Sequence, residues 1–92
     1  MLTAFVMIQA EPSSIATIAQ AIANLPHIAE VYSVTGDYDI IAVLRLAEYD
    51  QLAEAVTEGL SKIPGVQRTE TILAFRRFST KDLEAAWDIG VS

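Results

Sequence analysis

The chain has 92 residues, a net charge of −6 and no cysteine. That length suits one domain with its own core, the charge disfavours direct contact with a phosphate backbone, and the missing thiols exclude disulfides and thiolate metal sites. Hydrophobic residues make up 52% of the chain, more than one small core can hide, so some apolar surface must be covered by a partner.

Residues 2–10, LTAFVMIQA, read as a buried strand ended by Glu11-Pro12. The opening lacks the basic start of a secretory leader, and no apolar run is long enough to cross a bilayer. The expected setting is cytoplasmic, with no membrane partner. Ser13 or Ser14 can cap a helix whose inward face is Ile15, Ile18, Ala19, Ile22 and Leu25. Pro26 stops it. IAEVYSVT is a second strand, GDYD a corner and IIAVLRLA a third strand. Asp50 can cap a second helix with Leu52, Val56, Leu60 and Ile63 inward, ended by Pro64-Gly65. VQRTETILAF is the fourth strand. Ser79 and Asp82, spaced as in a capping box, open a short C-terminal helix with Leu83, Ala86 and Trp87 on one side.

An internal repeat supports this order. LPHIAEV (25–31) and IPGVQRT (63–69) share an apolar–Pro pair, one residue, then Ile or Val opening a strand. Two strand–helix–strand halves predict an α+β, ferredoxin-like β-α-β-β-α-β domain over residues 1–92, with an antiparallel sheet. Both helices then cover one face of the sheet, so the strands should alternate apolar and polar. Instead Phe5 to Ile8, Ile40 to Leu44 and Ile72 to Phe75 are apolar on both faces. The second face therefore predicts a homodimer packed sheet to sheet, with room for higher assembly.

In the corner TGDYD, Gly36 suits a positive φ and Asp37 is an ordinary turn residue. From geometry alone a plain turn is the simpler reading. If the third strand begins at Asp37, Asp37 and Asp39 share one side with Tyr38 on the other. Two carboxylates beside turn amides would then suit a zwitterion such as an amino acid.

The segment VYSVTGDYDIIAVLRL resembles the Gly-x-Tyr/Phe-Asp pattern of the ligand-binding (RAM) domain of Lrp/AsnC, or feast/famine, regulators. PGVQRTETILAF resembles that domain's final strand. The resemblance implies dimers through the sheets, rings of dimers, and an amino-acid site between subunits. It maps that site to Gly36, Asp37, Tyr38 and Asp39, with Thr69 and Thr71 as further candidates. Family members carry an N-terminal helix-turn-helix domain, whereas here the first strand starts at Leu2. The resemblance is therefore to a stand-alone effector-binding module without a DNA-binding domain, which regulates transcription through full-length relatives. It implies no cofactor.

Other residues have plainer readings. His27, the single histidine, fits an exposed loop, with no second histidine or cysteine to join it in a metal site. Asp37 and Asp39 lack the oxygen-rich loop that calcium needs. Arg76 and Arg77 with Lys81 read first as solvated charge at a strand end, and second as a phosphate site. Trp87 reads as covering an edge or a neighbouring subunit. No catalytic motif occurs, so no catalytic residue is expected. The alternatives are a purely structural oligomerisation partner without ligand, a small ferredoxin-like enzyme, and the related ACT domain.

Overall fold

The computed structural model describes residues 1–80. The expected C-terminal helix with Leu83, Ala86 and Trp87 lies outside the described residues. The elements run β1 (Leu2–Ala10), a 3₁₀ turn (Pro12–Ser14), α1 (Ile15–Ala23), β2 (Ile28–Ser33), β3 (Ile40–Leu46), a composite helix α2, and β4 (Val66–Ala74). Within α2, Asp50–Ala53 is α-helical, Glu54–Gly59 π-helical and Leu60–Lys62 3₁₀. The strands form one antiparallel sheet in the order β2-β3-β1-β4, the ferredoxin-like arrangement.

Alternation in β1 sorts the two faces. Ala4, Val6, Ile8 and Ala10 are buried beneath the helices, while Phe5, Met7 and Gln9 between them are half-buried. The helical spacing works the same way: Ile18 and Ile22 of α1 and Leu52 and Leu60 of α2 reach that core, with Ile40 and Leu44 of β3 beneath. Fully burying side chains of this size stabilises by about 1.5–3 kcal/mol each. This packing holds the sheet and its loops in place.

Two capping expectations do not hold. Ser14 stands at the N-cap of α1 without a side-chain cap bond, because a 3₁₀ turn already leads the chain into the helix. Asp50 is the first residue inside α2, behind Tyr49 at the cap. There the Gln51 side chain takes the capping role, its Oε1 accepting from the N–H groups of Ala47 at 2.8 Å and Glu48 at 3.1 Å.

The internal repeat survives in backbone detail. After Pro26 and Pro64, the matched residues His27 and Gly65 are both left-handed, with φ of 71° and 95°. Each also offers its carbonyl to a neighbouring strand or its extension: Arg45 N–H donates to His27 at 3.0 Å, and Glu11 N–H to Gly65 at 2.9 Å. Among the described residues no helix is long and apolar enough to cross a membrane.

Candidate functional site

The corner at residues 34–39 is sewn to the C-terminal end of β1. Gly36 takes a φ of 111°, open to glycine and strained for other residues. Val34 N–H donates to the Asp39 carbonyl at 2.9 Å, closing the turn, and Asp39 N–H donates to the Ile8 carbonyl at 2.9 Å. The Asp39 carboxylate then accepts from Ala10 N–H at 2.9 Å, partly buried, and Gln9 Nε2 donates to the Asp37 carbonyl at 2.9 Å. The third strand begins at Ile40, not Asp37, so the strand alternation that would align the two carboxylates does not extend across the corner. Asp39 is tied into the sheet, whereas Asp37 is exposed.

Tyr38 points over the open face, where its hydroxyl donates to Glu70 of β4. That hydrogen bond is the main reason its phenol sits above the ordinary tyrosine range; desolvation adds to the rise and the Arg68 charge opposes it. The corner thus offers an exposed carboxylate beside an anchored phenol, on backbone held by three hydrogen bonds and a fourth to the Asp39 carboxylate. Such a surface can receive an ammonium group.

Thr69 and Thr71 lie elsewhere. They pair with Ile8 and Val6 of β1, whose side chains are buried under the helices, so their hydroxyls face the helix side. Thr71 borders a groove of about 330 Å³ between α2 and β4, floored by Leu52, Val56 and Leu73. The structure gathers Gly36, Asp37, Tyr38 and Asp39 at one corner and sets the two threonines on the opposite side of the sheet.

The open face carries Phe5, Met7, Ile41, Val43 and Ile72, with Ile72 48% exposed. Sequence reasoning passed over two polar residues there. Glu70 is the partner of Tyr38, and Arg45 reaches a cavity also lined by Arg76 and Arg77. Alternation from Val43 to Arg45 along β3 was the available signal. His27 borders a separate hollow of about 250 Å³ with Leu25, Glu54 and Glu58. Among the described residues no group of three or more histidine or acidic side chains is placed to hold a metal ion.

Comparison with known proteins places this geometry. The family model of the Lrp/AsnC ligand binding domain matches residues 3–83. An uncharacterized HTH-type transcriptional regulator of Pyrococcus furiosus is 38% identical over 76 residues, 79% of this chain and 51% of that protein. The chain spans about half the length of the curated relatives it matches. The crystal structure of TTHA0845 from Thermus thermophilus superposes with a TM-score of 0.82 at 48% identity, over 86% of this chain and 99% of that one. A feast or famine regulatory protein of M. tuberculosis, complexed with L-methionine, shares the fold with a TM-score of 0.71 at 22% identity, over 86% of this chain and 53% of that one.

Proposed function

This chain belongs to the Lrp/AsnC ligand-binding domain family, and from that premise we propose that it is an amino-acid-binding and oligomerisation module, its ligand held where copies of the chain meet. The observation that carries the reading is the corner. Asp37 presents a free-standing carboxylate to an ammonium group, Tyr38 forms a wall anchored through Glu70, and Gly36 permits the turn. Asp39, one oxygen already held by Ala10 N–H, adds negative field more than a free acceptor. Thr69 and Thr71 keep a secondary place, since they face the helix side. Methionine in the M. tuberculosis complex supports the amino-acid class.

The open sheet face supports pairing with a second copy, and with longer relatives that bear a DNA-binding domain. Through them the module acts on transcription in the cytoplasm without touching nucleic acid itself. The test is a thermal-unfolding screen against the common amino acids. A ligand at a hundred times its dissociation constant stabilises by about 2.7 kcal/mol. A shift confined to one chemical class, and lost in Asp37→Ala, is the expected result; no shift with any amino acid would overturn the reading. The apolar open face favours a second reading, in which oligomerisation is the whole function and no ligand binds. Retention of a longer relative on purification from cells, with an empty screen, would establish that one.

A further inference from the structure

We propose that the open face of the sheet carries a second binding site, separate from the corner, for a small organic anion gripped by Arg45 and Arg76. The site is the cavity of about 450 Å³ at the end of the face where β1 begins and β4 ends. Its size falls within the range of small-molecule pockets. Of the chain's six lysines and arginines, three, Arg45, Arg76 and Arg77, line this one cavity. Among the described residues Glu30 is the one acid in the lining, set against Arg45, Arg76 and Arg77.

Arg45 and Arg76 keep donors for a ligand. Arg45 Nη1 donates to Thr3 Oγ1 at 3.0 Å, but its Nη2 lies 3.9 Å from Glu30, with both side chains nearly half exposed. That contact is too long for a strong charge-assisted bond. Glu30 is itself shared, since it accepts the Tyr32 hydroxyl. Arg76 stands over the Phe78 ring at 5.0 Å. That cation–π contact engages the guanidinium with an aromatic face and leaves it N–H donors for a ligand. Arg77 also lines the cavity and is engaged by a partner of its own.

The floor is apolar, made by Phe5, Val43 and Ala74. The cavity therefore suits a molecule with an apolar body and a carboxylate or phosphate head, the two groups a guanidinium fork matches in pairs. A bare ammonium group finds repulsion here, which separates this ligand from the one expected at the corner. The site itself belongs to a single copy. Where two sheet faces pair, as the proposed function holds, the enclosed arginines would be costly without a counter-charge. Anion binding and pairing then favour each other.

Isothermal titration of the purified protein with phenylphosphate, phenylacetate and phenethylamine tests this. Saturable binding of either anion and none of the amine is expected, with the tighter anion naming the head group. Arg45→Ala and Arg76→Ala should each weaken binding about tenfold or more. Arg68→Ala removes the same charge from the same strand face near Tyr38 and should change affinity less than about twofold. No saturable binding of either anion, or an equal loss in Arg68→Ala, would overturn the site. Mass measured on the same samples keeps the two readings apart. A dimer that binds neither anion overturns the site alone, and a monomer that binds one overturns the pairing alone.

Discussion

The Asp39 carboxylate accepts a hydrogen bond from the Ala10 backbone N–H at 2.9 Å, across 29 positions of sequence. Beyond the last rung of the β1–β3 ladder, a side chain takes the place of a strand carbonyl. One of the two corner acids is thus part of the sheet, and the other faces solvent. Their mutants should separate accordingly.

Asp39→Ala leaves the Ala10 N–H, which is partly buried, without its acceptor. Stability should fall by about 1–3 kcal/mol in denaturant unfolding. Asp37→Ala at its exposed position should stay within about 0.5 kcal/mol of the parent. Binding lost in Asp37→Ala would then report recognition, uncontaminated by unfolding.

His27 and Gly65 occupy the same left-handed place in the two halves, and only one is glycine. A left-handed non-glycine residue costs about 1–2 kcal/mol, partly offset by the greater unfolded-state freedom of glycine. His27→Gly should therefore stabilise, by up to about 1 kcal/mol. Gly65→Ala should do the reverse, because a Cβ there would come within 2.6 Å of Ile18 Cδ1 at a φ of 95°. We expect a loss of about 2 kcal/mol or more. Thermal midpoints of the two variants on opposite sides of the parent would bear this out.

Tyr38 holds its proton above the ordinary value of 10.0 because its hydroxyl donates to Glu70. A group with a raised folded-state pKa contributes stability that is present below pH 10.0 and lost as pH climbs through the folded value. Tyrosinate absorbance should show Tyr38 ionising at lower pH in Glu70→Ala than in the parent, with Tyr38→Phe identifying its signal. Identical curves would show that the hydrogen bond to Glu70 does not hold the phenol proton.

Ile72 lies on the open face opposite Phe5 and is 48% exposed, so it adds little to the core of one copy. Ile72→Lys should leave unfolding within about 0.5 kcal/mol when measured on the monomer. It should abolish self-association in sedimentation. A variant that still associates would move the interface off the sheet.

Much of the fold was legible because burial follows period. Ile18 and Ile22 at helical spacing found the core directly. Phe5 to Ile8, by contrast, are apolar throughout, and only the structure shows that Val6 and Ile8 are the ones turned to the core. Leu52, Val56 and Leu60 found it directly too, but their spacing of four suits both α and π turns, so the widened Glu54–Gly59 segment left no mark on the pattern. The shared face of Thr69 and Thr71 was readable from alternation. Which face it was depended on the register against Ile8 and Val6, set by pairing across the chain. The role of Asp39 was hidden for the same reason, since nothing local to GDYD reveals that Ala10 ends beside it. Arg45 gains its meaning only when β3 and the chain after β4 are brought to the same end of the sheet.

The strand order β2-β3-β1-β4 places the first and last strands side by side and antiparallel, with Thr3 opposite Ala74. A mechanical pull between these two residues would load the ladder at one end and open it rung by rung, like a zipper. Strands pulled from opposite ends would instead share the force across every rung at once. Tension applied at that end of the sheet would therefore find this domain weak, however well its core is packed.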